Sequence, residues 1–322
     1  MQYRQLGNAG LKVSELSFGS WLTFGDQIGI EGANACMRYA YEQGVNFFDN
    51  AEVYANGKAE EIMGQALKSF RRESLVVSTK IFWGGEGPND VGLSRKHLLE
   101  GTRNSLKRLQ LEYVDLLFCH RPDPSTPIEE TVRAMDHLVR SGQALYWGTS
   151  EWSAQEIESA YQIAEQLGCI PPSMEQSLYN LFHRRRVEEE YTSLYKKYGM
   201  GLTTFSPLAS GVLSGKYNKG TPKDSRLGKH PVWRSKDAEQ RIQKVIALEP
   251  VAKSLQCTLS QLAIAWCLKN NNVSSVILGA TNLKQLQENL AAVEVAERIT
   301  EEELKAIAQI CNMYKNEYTT AG

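Results

Sequence analysis

Four side chains of this chain sit where a short apolar run ends. Asp49 closes Val45-Asn46-Phe47-Phe48-Asp49, and Tyr54 follows five residues later. Lys80 closes Leu75-Val76-Val77-Ser78-Thr79-Lys80, and His120 closes Val114-Asp115-Leu116-Leu117-Phe118-Cys119-His120. If these runs are parallel strands of one barrel, a carboxylate, a phenol, an ammonium and an imidazole emerge at one mouth. Such a set can deliver a proton. A free Tyr ionises near 10, too high for ready discharge at neutral pH. An ammonium at ~4 Å, in an effective dielectric of ~20, stabilises the phenolate by roughly 4 kcal/mol, or about three pK units. Desolvation opposes this, so the expected net result is a lowering of about one to two units. Asp49 keeps Lys80 charged, and His120 can orient a carbonyl oxygen or share the proton.

The elements that must position these groups follow from hydrophobic patterning. Strands are expected at Leu16–Ser20, Asn46–Asp49, Leu75–Lys80, Val114–His120, Ala144–Ser150, Met174–Tyr179, Leu202–Pro207 and Ser275–Ala280. Helical segments near 31–43, 57–69, 94–109, 127–141, 153–167, 185–198, 258–270 and 282–296 lie between them, with Ile128, Val132, Met135, Leu138 and Val139 on one helical face. Ser94, Thr126 and Ser153 are expected caps. Strict alternation implies parallel strands with right-handed crossovers. A doubly wound open sheet uses the same units. Eight near-equal repeats without a dinucleotide Gly motif favour a (β/α)8 TIM barrel. Outside the repeat, residues 3–14 read as a hairpin able to plug the barrel bottom. The stretch 206–237 reads as a long functional loop, and about 300–313 as an additional C-terminal helix capped by Thr300 and Glu303. The expectation is one domain spanning 1–322.

The chain has 322 residues, 42% of them hydrophobic, with Lys+Arg 36 against Asp+Glu 37 and a net charge of −1. That balance gives no field for nucleic acid. Six cysteines without a Cys-x-x-Cys pair read as reduced thiols. The amino terminus lacks a signal-peptide core, and no apolar stretch approaches the ~20 residues of a membrane span, so a cytoplasmic, not membrane-embedded protein is expected. Rival chemistries fail. Gly211–Lys216 resembles a phosphate loop but is one residue short and is followed by Tyr217. No Gly-x-Ser-x-Gly elbow exists. The five histidines lack zinc-helix spacing, so no metal site is expected. Paired glycosidase carboxylates are absent from the strand ends, where Asp49 has only Glu175 beside it in register.

At these residues the chain resembles an aldo-keto reductase, from Tyr3 to about residue 313. Asn46-Phe47-Phe48-Asp49-Asn50-Ala51-Glu52-Val53-Tyr54 resembles the first signature of that family. Ser78–Gly85, Gly92–His97, Arg121–Pro124, Tyr146–Ser150 and Gln261–Leu268 are similar to its voltage-gated potassium-channel beta-subunit subfamily. The resemblance implies a TIM barrel that binds NADP(H) and reduces a small-molecule aldehyde or ketone, with Asp49, Tyr54, Lys80 and His120 as catalytic residues and Tyr54 as proton donor. It places Ser20, Trp21 and Gln27, with Asp49, near the nicotinamide, Trp21 or Phe205 being the stacking aromatic, and puts Ser150 and Gln176 at the carboxamide. Ser206, Pro207, Leu208, Ser210 and Lys216 would cover the pyrophosphate. Arg226, Gly279, Thr281, Gln285, Glu288 and Asn289 would meet the adenosine end, where a guanidinium, neutral donors and a helix amino end suit a 2′-phosphate. It also implies a homotetramer and, as an alternative function, a redox-sensing accessory subunit of a potassium channel. Animal channel subunits carry Asn at the place of His120 and Arg at that of Glu151. His120, the residue of ordinary reductases, points to turnover, whereas Glu151 removes a basic cofactor contact. The chain begins at the hairpin, so no extension able to plug a channel pore is expected.

Overall fold

The computed structural model describes residues 1–21, 24, 28–223, 225–229 and 236–312. The strands are β1 Tyr3–Gln5, β2 Lys12–Ser14, β3 Leu16–Gly19, β4 Phe47–Asp49, β5 Val76–Ile81, β6 Val114–Cys119, β7 Ala144–Ser150, β8 Met174–Leu178, β9 Gly201–Phe205 and β10 Ser275–Leu278. The helices are α1 Ile30–Glu42, α2 Lys58–Leu67, α3 Arg95–Leu109, α4 Ile128–Arg140, α5 Ala154–Leu167, α6 Thr192–Tyr198, α7 Arg226–Lys229, α8 Ala238–Ser254, α9 Leu259–Leu268, α10 Leu283–Leu290, α11 Ala292–Arg298 and α12 Glu301–Asn312. Strands β3 to β10 form a closed parallel barrel in sequence order, sealed by β10 pairing with both β3 and β9. This is the expected (β/α)8 barrel with an amino-terminal hairpin.

The chain divides into two compact units. The first comprises Met1–Leu178, Arg185–Phe205 and Asn272–Leu286, and holds the whole barrel. Strands such as β6 and β10 are buried on both faces and therefore read as near-continuous apolar runs. The hairpin β1–β2 sends Leu6 and Val13 into a core with Phe47, Val76, Leu116, Phe118, Met174 and Ile277. This closes the end of the barrel opposite the strand carboxyl termini, as expected. Gly7, at φ +56, lets the turn pass so close to Gly199 and Gly201 that a Cβ would lie 2.2 Å from the Gly199 carbonyl oxygen. Ser94 and Ser153 cap α3 and α5 as read. Thr126 does not cap α4. Its hydroxyl donates to Asp123 instead, and Pro127 takes the cap position.

The second unit comprises Tyr179–Arg184, Ser206–Asn271 and the chain from Gln287. Within it α9 packs on α11 and α8 on α12. Helix α8 is absent from the sequence reading, because its apolar residues do not gather on one face and Pro250 lies inside it. The expected loop 206–237 contains a short 3-10 segment, Ala209–Ser214, and the one-turn α7. The helix expected at 185–198 is a π-helical turn, Arg186–Glu190, followed by α6, while that at 282–296 divides into α10 and α11. Helix α12 is capped as read: Thr300 Oγ1 accepts the Glu302 N–H, and the Glu303 carboxylate accepts the Thr300 N–H. Among the described residues no helix is long and apolar enough to cross a membrane.

Candidate active site

Parallel register brings the four polar strand ends together at one mouth of the barrel. Gly19 lies beside Asp49 and Asp49 beside Ser78, while Lys80 pairs with Phe118, two residues before His120. Lys80 is fully buried, and its ammonium has three protons and three acceptors. They are Asp49 Oδ2 at 2.7 Å, the Asn50 carbonyl at 2.8 Å and Tyr54 Oη at 3.0 Å. Asp49 is held in turn, its Oδ1 accepting from Ser78 Oγ at 2.7 Å and Gln176 Nε2 at 3.1 Å. Because Tyr54 Oη accepts from Lys80, its own O–H is left to donate elsewhere. His120 meets the Tyr54 ring edge-on at 5.9 Å.

Tyr54 reaches this place through a tight turn. Ala55 and Asn56 adopt φ of 48° and 52°, a left-handed pair that L side chains seldom enter. Glu52 anchors the turn. Its Oε1 accepts the Phe82 N–H at 2.7 Å and lies 3.0 Å from His97 Nε2, tying the turn to the segment after β5 and to α3.

Burial sets the protonation states. It pushes the Tyr54 phenol above its ordinary range, and the Lys80 charge withdraws only part of that rise. The net lowering expected from the sequence is therefore wrong in sign, since the cost of burying the phenolate outweighs the Lys80 charge and Asp49 acts against Lys80. The Tyr54 phenol therefore keeps its proton at neutral pH. Burial also opposes the charge on Lys80, but Asp49 and then Tyr54 more than offset it, so Lys80 stays an ammonium. Burial, then Lys80 and Arg121, hold His120 well below its usual value, so the imidazole is neutral. Neither of its ring nitrogens has a partner among the described residues, and Nδ1 is enclosed.

The other residues singled out from the sequence fall in both units. In the first, Ser20 is buried and donates to the Asp49 carbonyl at 3.2 Å, and the Trp21 ring lies 6.5 Å from that of Tyr54. Ser150, paired with Gln176 across β7 and β8, donates to the Gln176 carbonyl. Phe205 ends β9, and Gly279 follows β10. Thr281 gives both its N–H and its hydroxyl to Gln285 Oε1. In the second unit, Ser206 accepts from Asn180, with Pro207 and Leu208 leading into the 3-10 segment that holds Ser210. Lys216 lies over Gly211, Glu288 accepts from Gln261 through its carbonyl, and Asn289 is buried. Arg226 opens α7. Gln27 lies outside the described residues. Glu151 turns to its own neighbourhood, accepting from Leu178 N–H and pairing with Arg186 at 3.0 Å.

The site also uses residues that sequence reading passed over. Ser78 fixes Asp49, and the Asn50 carbonyl fixes Lys80. Arg121, directly after His120, bridges the ends of β6 and β7, and Trp83, three residues after Lys80, packs on His120 at 5.2 Å. Their signal was position, one and three residues past strand ends already chosen as reactive.

The sequence profile of the Aldo/keto reductase family matches residues 15–312. A protein of Arabidopsis thaliana described as a probable voltage-gated potassium channel subunit beta is 57% identical over 317 residues, 96% of each chain. One of the same description from Oryza sativa subsp. japonica is 55% identical over the same share. A profile match over nearly the whole barrel, around a buried Asp–Lys–Tyr relay, places the chain among the oxidoreductases of the aldo/keto reductase family.

Proposed function

We propose that the protein is an NADPH-dependent reductase of small aldehydes and ketones, with Tyr54 donating the proton. The observation that supports this reading most directly is the saturation of Lys80. With all three ammonium protons committed, Tyr54 can only accept from it, and its O–H is free for a carbonyl oxygen at the mouth. As the proton leaves, the phenolate forms beside a fixed cation in a water-poor site, where charge interactions are strong. His120, kept neutral, can orient the same oxygen without competing as a cation. When bound, NADPH supplies the hydride that the carbonyl carbon takes up.

One feature of the chain suits such a dinucleotide. In the second unit Ala209, Ser210 and Gly211 are successively left-handed, a tight turn in which the Ala209 and Gly211 N–H groups donate to the Ser206 and Leu208 carbonyls. The Lys216 ammonium lies where a Cβ on Gly211 would come within 2.5 Å of it. What the turn offers a pyrophosphate is the Lys216 cation, held against its backbone. Ser206, Pro207, Leu208 and Ser210 would complete that grip. Ser20, Trp21, Gln27, Asp49, Ser150, Gln176 and Phe205 would hold the nicotinamide end, and Arg226, Gly279, Thr281, Gln285, Glu288 and Asn289 the adenosine end. The test is a turnover panel with NADPH and NADH against aldehydes, ketones and dicarbonyls. NADPH absorbance should fall on adding reactive aldehydes, and no change across the panel defeats the proposal.

The description shared by the two relatives favours a second reading, in which the barrel binds NADP(H) and docks as a homotetramer on a channel in the cytoplasm. Co-purification with a channel together with negligible turnover would select it.

A further inference from the structure

We propose that Arg121 recognises a carboxylate on the substrate, so that the site prefers carbonyl compounds carrying a carboxylate away from the reacting carbon. This inference rests on the reductase reading and names its substrate class.

Arg121 stands directly after His120 at the end of β6. Its Nη1 donates to the His120 carbonyl at 2.5 Å and to Ser150 Oγ at 3.3 Å, which pins the guanidinium across the ends of β6 and β7. Its Nε and Nη2 have no partner among the described residues. The carboxylates near this mouth among the described residues are already engaged. Asp49 is taken by Lys80, Ser78 and Gln176. Glu52 is taken by Phe82 and His97, and Glu151 by Leu178 and Arg186. Asp123, the nearest acid in sequence, accepts from Leu93, Ser125 and Thr126. A half-buried guanidinium is thus tied through Nη1, while the other edge of its fork meets no acceptor among the described residues.

That cation belongs to the reacting groups. It lies close enough to Tyr54 and His120 for its charge to act on both. It also stands over the Trp83 ring, 5.7 Å from the centroid. Trp83 is 36% exposed and packs on His120, so a flat substrate body has an indole wall between the imidazole and the guanidinium. A planar fork matches a carboxylate by two parallel hydrogen bonds, which neither a lysine nor a neutral residue reproduces. Reduction of such an aldehyde adds hydride at carbon and the Tyr54 proton at oxygen, giving a hydroxy acid whose carboxylate passes through unchanged.

The experiment compares 4-carboxybenzaldehyde with its methyl ester, two aldehydes differing mainly in one charge. The wild-type full chain should favour the acid, through KM, by about tenfold or more, with the preference shrinking as salt rises. Arg121→Gln should cut kcat/KM for the acid about tenfold further than for the ester, and Arg121→Lys should recover only part of that preference. The ratio of the two substrates removes any effect on Tyr54 or His120 that both share. In parallel, calorimetry of the full chain, with and without NADP+, should show 4-carboxybenzyl alcohol binding about tenfold tighter than benzyl alcohol and losing that margin in Arg121→Gln. Equal handling of acid and ester by the wild type, or equal losses in the variant, overturns the inference. Absence of all turnover defeats the reductase reading instead, and the calorimetry then decides Arg121 by itself. Should Arg121→Gln not fold, the wild-type acid-to-ester ratio and its salt dependence decide.

Discussion

Lys80 is a fully buried cation whose three donors all have buried acceptors, so its removal acts on stability as well as on chemistry. Lys80→Met would leave the Asp49 carboxylate buried and unpaired, and breaking a buried pair from one side costs about 3–5 kcal/mol. Urea unfolding should show a midpoint lowered accordingly. Tyr54→Phe removes only an oxygen and keeps the ring beside Trp21 and Lys80. Turnover should fall about 10²–10⁴-fold, the range of a lost general acid, while NADPH binding followed by fluorescence stays near wild type. Undiminished turnover would remove Tyr54 from its role. These four residues were legible because a strand end fixes where a side chain emerges, and the spacing of each run located its end. The sign of the Tyr54 shift was not, because it depends on how completely the phenol is enclosed, which no spacing reports. Arg121 was passed over for a similar reason. Its importance lies in which carboxylates are already engaged.

At the scale of elements, the hairpin β1–β2 and the reactive mouth occupy opposite ends of the barrel, and the two ends should respond separately. Leu6 is fully buried against Val13, Phe47 and Met174. Leu6→Ala should cost about 2–5 kcal/mol, the usual range for a core leucine truncation. This is measurable as a lowered denaturation midpoint, with KM and kcat of the remaining folded protein close to wild type. A loss of kcat without a loss of stability would contradict the separation. Barrel elements such as β6 and α4 read correctly from sequence because one is a short apolar run and the other a one-faced helix. Helix α8 did not, since Pro250 and scattered apolar residues hide a 17-residue helix from a periodicity test. The π-helical turn at Arg186–Glu190 escaped likewise, a run of charges that reads as ordinary helix surface.

For the molecule as a whole, the balance of buried ionisable groups sets how stability varies with pH. Glu175 alternates with Gln176 on β8, so it points away from Asp49, into a fully buried site where it accepts from Thr149 at 2.6 Å and from the Glu151 N–H at 2.5 Å. Burial, with the Glu151 charge adding to it, raises this carboxyl well above the ordinary carboxylate range. The folded chain then holds a proton that the unfolded chain has released. The stabilisation is complete below the unfolded value near 4.3 and is lost as pH climbs toward the folded one. His120 acts on the acid side. Its folded value is depressed, so its contribution is present above about 6.5 and falls away as pH drops below that. Opposed slopes predict a stability maximum in the weakly acid range. Glu175→Gln copies the protonated form, accepting from Glu151 and offering an amide to Thr149, and it cannot ionise. Its melting temperature should exceed that of the wild type at pH 8 and converge on it near pH 5, by differential scanning calorimetry at both values. A variant less stable than wild type by the same margin at both pH values would show that Glu175 serves the fold as a carboxylate, and that its proton has no part in the pH response.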